Sequence, residues 1–174
     1  MNLPVVQYPE AILRTRSQEL TDIERTSPEI ARFTDDLLET VMHAKGAAIS
    51  AVQVGVPKRL VVLHPDLAED FPSVLVNPYA LTFSMGEHKV LEGCLSMRGI
   101  SVIVTRPVGV HVRATGLDGQ SIDIHAKGDL AQALMHELEH LDGVLLVDNV
   151  GPVKREMINR RMRGREGNVV RYGG

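Results

Sequence analysis

The sequence predicts an α+β fold in which antiparallel strands pack around a central helix, with one helix before them and one after. Three observations carry this expectation. Apolar residues recur at helical spacing in the N-terminal and C-terminal parts of the chain. Short β-rich segments punctuated by Pro, Gly and Asp fill the middle. A His136-Glu137-Leu138-Glu139-His140 run stands inside the second helical stretch.

The first helix starts at Ser27-Pro28-Glu29, which supplies a capping hydroxyl, a proline at the first helical position and an acid in the first turn. Ile30, Phe33, Leu37, Leu38, Val41 and Met42 follow at helical spacing, and Gly46 is predicted to end the run. Strands are expected from Leu60 to His64, Ser73 to Val76, Ser101 to Thr105, Val108 to Ala114 and Ser121 to His125. Leu117-Asp118-Gly119-Gln120 is the expected hairpin turn. The second helix is predicted from an N-cap at Asp129, with Gln132 three residues on, to just before Gly143. Leu130, Leu134, Leu138 and Leu141 share one side of it, and at about 100° per residue His136 and His140 fall on another face. A third helix begins near Pro152 and carries Lys154, Arg155, Arg160, Arg161 and Arg163; the Gly-rich tail after it is expected to be loose.

A chain of 174 residues without repeats or a Pro/Gly/Ser linker reads as one domain. Residues 1–150 are expected to form its main part, which the motifs below mark as metal-dependent and catalytic, and 151–174 a basic helix and tail of the same domain. Apolar residues at 44% and charged ones at 24% suit an ordinary globular protein, and 3% aromatics with no Trp leave the core to aliphatics and Met. A net charge of -3 argues against DNA or another polyanion as partner of the whole surface. No basic segment leads into an apolar one at the N-terminus, and no run is long enough to cross a bilayer. The lone Cys94 forms no intramolecular disulfide, so a reducing cytoplasm is expected.

The H-E-x-x-H spacing has a physical reason. Imidazoles one helical turn apart converge on one ion, and the Glu after the first His reaches the water that such an ion activates. A catalytic site of this type needs a third protein ligand. His43, His64, His88, His111 and His125 have no companion feature and are expected at the surface or in the core. Cys94, in Glu92-Gly93-Cys94-Leu95-Ser96, is on its own terms more readily an inert, small buried hydrophobe than a ligand.

Three segments then carry a resemblance. Gly46-Ala47-Ala48-Ile49-Ser50-Ala51-Val52-Gln53, Glu92-Gly93-Cys94-Leu95-Ser96 and His136-Glu137-Leu138-Glu139-His140-Leu141-Asp142-Gly143, in this order and at these separations, resemble the three motifs of peptide deformylases. The likeness extends from the Pro9 region to the helix after Pro152. It implies a deformylase-like fold and removal of the formyl group from formylmethionine at the N-terminus of newly made proteins, with release of formate. By position, it implies that Cys94, His136 and His140 hold one divalent metal, ferrous iron in the cell. Zinc, nickel or cobalt would also suit that donor set. Glu137 is implied as general base and then acid, and Gln53 (side-chain amide) and Leu95 (backbone N–H) as donors to the developing oxyanion. Arg106 is placed to pair with Glu92.

The substrate is expected to meet Gly46, Ala47 and Ala48. Gln132 and Ala133 precede His136 by four and three residues and so should line the same pocket. Small residues and a polar one there predict a roomier pocket with weaker preference for methionine. The motifs depart from the family pattern at Ala48, where a glycine is usual, at Ser50, where an alanine is usual, at Met135 for Gln and at Glu139 for Asp. The basic helix after Pro152 is either a solvated surface or, as the resemblance suggests, a dock on ribosomal RNA. Two other functions stay open: a metallohydrolase of the same fold acting on a different formylated or acylated amine, and a metal-holding interaction protein without catalysis. Glu137 and Gln53 speak against the last, since a purely structural site would need neither.

Overall fold

The computed structural model describes residues 1–164 and 169–172. In chain order the elements are β1 (Val5–Val6), a 3-10 turn (Ala11–Arg14), α1 (Asp22–Arg25), α2 (Pro28–His43), β2 (Ala48–Ser50), β3 (Leu60–Leu63) and β4 (Val74–Phe83). There follow β5 (Glu87–Gly93), β6 (Ser101–Pro107), β7 (Gly109–Thr115), β8 (Ser121–Lys127), α3 (Gly128–Leu141), α4 (Pro152–Arg163) and β9 (Val169–Val170). Strands β2-β3-β4-β7-β8 form a five-stranded sheet, β5 and β6 a hairpin, and β1 and β9 a short pair, all antiparallel.

Burial explains these assignments. In β6, β7 and β8 apolar residues alternate with polar ones, so Val102 and Val104, Val110 and Val112, and Ile122 and Ile124 all turn inward. Strand β3 is apolar throughout because both of its faces are covered. Val61 and Leu63 join the cluster that packs against α3, while Leu60 and Val62 face the cluster containing Leu37 and Val41 of α2. Ala131, Leu134, Met135, Leu138 and Leu141 of α3 are buried in the first of these clusters. The inward side of β6 packs instead with Leu13, Leu146, Ile158 and Met162, which ties α4 to the rest of the molecule.

Several expectations need correction. Ser27 does cap α2, accepting from the Ile30 N–H, but the helix ends at His43 and Lys45, not Gly46, takes the left-handed conformation (φ 52°). Glycine is needed at 46 for space, since a Cβ there would lie 3.1 Å from a Leu95 methyl and 3.3 Å from a Val41 methyl. Met42, at the end of the apolar series, is 50% exposed. Asp129 lies inside the first turn of α3, whose N-cap is Lys127 without a side-chain cap; Gly128, with φ 59°, makes the sharp entry that a capping side chain would otherwise organise. Strands β2 and β5 were not anticipated, and β4 continues past Val76 through an irregularity at Asn77-Pro78 to Phe83. The expected hairpin turn holds, with Gly119 at φ 87°. Of the tail expected to be loose, residues 165–168 and 173–174 lie outside the described residues, whereas Val169 and Val170 pair with Val6 and Val5.

Gly143, just past α3, has φ 75°, and a Cβ there would collide with the Arg14 carbonyl oxygen of the 3-10 turn. Close by, the Ser17 N–H donates to the Leu141 carbonyl at 2.8 Å, so this is where the N-terminal stretch locks onto the helix. Gly143→Ala is therefore expected to cost about 2–4 kcal/mol. A urea titration should show a lower midpoint with an unchanged slope; a parental midpoint would contradict the account.

Candidate metal centre

Helix α3 presents His136 and His140 one turn apart, with ring centroids 4.9 Å apart and planes at 72°. Cys94 follows the last residue of β5 in extended conformation, before the 3-10 turn Leu95–Met97, which swings the thiol towards the helix. Its Sγ lies 3.2 Å from His140 Nε2. One donor atom from each of Cys94, His136 and His140 can be taken such that all lie within 4.8 Å of one another. A strand end and a helix face that share no local sequence are thereby brought to one point.

The electrostatics suit a cation. His140 is 1% exposed and its Nδ1 has no hydrogen-bond partner. Burial, with repulsion from His136, holds its pKa well below the ordinary value, so it is a neutral imidazole with a lone pair to give. Burial pushes the same way on His136, but charge on the Cys94 sulfur and hydrogen bonds to Cys94 and Glu92 outweigh it and raise its pKa. His136 Nδ1 is engaged by Glu92 at 3.2 Å, which leaves Nε2 for an ion. Soft sulfur and two imidazoles fit a first-row divalent transition metal.

A buried ionic network stands behind these three residues. Arg106 donates from Nε and Nη2 to the two oxygens of Glu92 at 2.8 and 2.9 Å, and from Nη1 and Nη2 to Glu139. Burial alone would raise the pKa of Glu92, but Arg106 and His136 hold it down at about 2. Asn149 donates to Glu139 at 3.1 Å. The Arg106–Glu92 contact is the expected one. The Glu139 and His136 contacts were missed, although strand parity puts Glu92 on the same face as Cys94 and so was a legible signal.

Glu137 is 3% exposed, and one of its carboxylate oxygens has no partner. Burial lifts its pKa to about 6, against the charge of His136 and the polar groups of nearby Ser50. Gln53 is 1% exposed and lies at the centre through the 3-10 turn after β2, with Nε2 3.7 Å from Cys94 Sγ. A cavity of 870 Å³ opens over these groups, and Gly46, Ala47, Ala48, Leu95, Gln132 and Ala133 all contribute to its wall. Gln132 is also tied back to the β5 backbone, donating to the Leu91 carbonyl at 3.2 Å. His64, expected at the surface or in the core, lines the cavity, as do Arg98 and Tyr172, which the sequence did not single out; Tyr172 arrives there because β9 pairs with β1.

A second trio, His111, Asp123 and His125, comes together on β7 and β8 because the register sets His111 opposite His125. Their rings are stacked 3.9 Å apart at 20°. Imidazole lone pairs lie in the ring plane, so stacked rings aim their nitrogens side by side rather than at a common point. Asp123 is already shared between His111 and Arg113. This surface cluster is an ion pair with a stacked ring, as the expectation of surface histidines allows.

The polypeptide deformylase family model matches residues 2–156. The chain is 37% identical to the peptide deformylase of Thermodesulfovibrio yellowstonii over 163 residues, covering 92% of this chain and 96% of that one. It is 38% identical to peptide deformylase 2 of Xanthomonas axonopodis pv. citri over 160 residues, 92% of this chain and 94% of that one. Among solved structures, the peptide deformylase of Ehrlichia chaffeensis in complex with actinonin superposes with a TM-score of 0.86 at 31% identity, covering 95% of this chain and 98% of that one. That of Legionella pneumophila gives 0.85 at 30% identity, covering 96% and 100%.

The raised pKa of Glu137 has a consequence for stability. Its value of about 6 lies above the ordinary 4.5, so folding favours the protonated form. This contribution is fully present below pH 4.5 and is lost as pH rises through about 6, a difference of roughly 2 kcal/mol. In chelator-stripped protein, Glu137→Gln should therefore be more stable than the parent by about 2 kcal/mol at pH 8, the gain fading towards pH 4.5. Denaturant titrations at the two pH values check this; an equal difference at both would refute it.

Proposed function

The chain belongs to the polypeptide deformylase family, and from that premise we propose that Cys94, His136 and His140 hold the metal of this metalloenzyme while Glu137, Gln53 and Leu95 carry the chemistry. The protein removes the formyl group from N-formylated nascent peptides, releasing formate and a free amine. The observation that carries the residue assignment is the convergence of one thiol and two buried imidazoles beside a carboxylate oxygen that lacks a partner.

A divalent ion bound there supplies Lewis acidity, lowering the pKa of water and polarising the formyl carbonyl. Glu137 accepts the proton of the attacking water and returns it to the departing amine nitrogen. A base with pKa about 6 is matched to work near neutral pH. Gln53 Nε2 and the Leu95 N–H donate to the oxygen that gains negative charge when the formyl carbon is attacked, and losing one such donor costs roughly 3 kcal/mol. Glu92 keeps His136 in the tautomer with Nδ1 protonated, and Arg106 keeps Glu92 ionised. The strands packed about α3 serve to hold these groups in register. Ferrous iron is the proposed ion in the cell.

Small side chains at Ala47 and Ala133 leave room in the cavity, and Gln132 adds polarity, which supports a weak preference for methionine. The exposed Lys154, Arg161 and Arg163 of α4 support docking on ribosomal RNA. No helix of the described residues is long and apolar enough to cross a membrane.

Protein prepared without oxygen should release formate from a formyl-Met tripeptide, lose that activity on chelation and regain it with Fe2+. Actinonin, bound in the Ehrlichia chaffeensis structure, should block it. Formyl-Met and formyl-Ala peptides should differ in kcat/KM by less than about tenfold; a larger gap would remove the claim of weak preference, and absence of formate would remove the assignment. Reversing the charges of Lys154, Arg161 and Arg163 to Glu should abolish salt-sensitive co-sedimentation with ribosomes while tripeptide turnover persists; unchanged co-sedimentation would leave α4 a solvated surface.

A further inference from the structure

Ser50 stands where deformylases usually carry an alanine, at the last position of β2, and is fully buried. Its surroundings give the hydroxyl a specific task. The Gln53 carboxamide is held at both ends: Oε1 accepts from the Ser50 N–H at 2.9 Å and from the Ser50 hydroxyl at 3.1 Å. Nε2 donates to Ser96 Oγ at 3.2 Å and reaches Cys94 Sγ at 3.7 Å. Turning the amide over would set its NH2 against the Ser50 N–H, two donors face to face. An alanine would keep the backbone donor and lose the second one.

We propose that Ser50 is a positioning residue whose hydroxyl locks the Gln53 amide with Nε2 directed at the metal centre, so that the oxyanion donor is in place before charge develops. The inference rests on Gln53 being that donor, as read above. Ser50 has a single hydroxyl proton, and the Glu137 carboxylate is the competing acceptor within its reach. The bond to Gln53 leaves a kinetic signature, because a preorganised donor matters where charge appears. Its loss lowers kcat and leaves KM alone.

The test is a double-mutant cycle of Ser50→Ala and Gln53→Ala in iron-loaded enzyme, read with a formyl-Met tripeptide. Ser50→Ala introduces the residue usual in the family. It is expected to lower kcat about fivefold, the worth of one neutral hydrogen bond, with KM unchanged. In the Gln53→Ala background the same change should have no further effect. Independently of activity, the side-chain NH2 resonance of Gln53 in metal-free protein, identified by its disappearance in Gln53→Ala, should shift and exchange faster with water in Ser50→Ala. A parental kcat in Ser50→Ala overturns the proposal. So does a loss of equal size with and without Gln53, which would mean that Ser50 acts through Glu137 or through packing. If Gln53→Ala itself leaves kcat unchanged, the oxyanion role of Gln53 fails and this inference falls with it, whereas either of the first two outcomes leaves that role standing.

Discussion

The arrangement hangs on one buried carboxylate. Glu92 is 3% exposed and lies between a guanidinium and an imidazole. It takes both bonds of the Arg106 fork and holds the Nδ1 of His136. An isolated charge so deep would be costly, and Arg106 would be as costly without acid partners. Each satisfies the other, with Glu139 completing the fork from α3. The pair therefore clamps the β5–β6 hairpin, which delivers Cys94, onto the helix that delivers both histidines.

That clamp explains why Cys94, His136 and His140, the proposed metal ligands, meet without any local sequence link. Cys94 lies two residues beyond Glu92, so fixing the carboxylate against α3 also fixes the thiol. The same contact sets the tautomer of His136, while burial strips His140 of solvent and leaves it neutral. In the same pocket, burial lifts the pKa of Glu137 to about 6. The pKa values of these three groups, on one helical turn and a half, are thus shifted by what packs against each of them rather than by residue type.

Other walls of the cavity come from elements that arrive from elsewhere. The short β2 and the turn after it bring Gln53 and Ser50 beside the centre, and Gly46 leaves room for Leu95 to close over it. The C-terminal strand, paired with β1, carries Tyr172 to the cavity, where its hydroxyl donates to the Leu95 carbonyl at 2.5 Å. The cavity wall thus draws on residues from Met42 to Tyr172.

Periodicity was enough to locate α2, α3 and α4, the alternating strands β6 to β8, and the turn at Gly119, because those signals are local. The H-E-x-x-H spacing is likewise a local fact about one helix turn, and motif resemblance alone singled out Cys94 and Gln53. Folding decided what depends on partners far along the chain. Strands β2 and β5 lack alternation that sequence can read and exist because β3 and β6 offer them hydrogen bonds. The cap expected at Asp129 gave way to a glycine entry, and the stacking of His111 on His125 followed from hairpin register. The pKa values at the centre were likewise beyond sequence: desolvation and opposing charge are properties of a packed interior, and no residue carries them by itself.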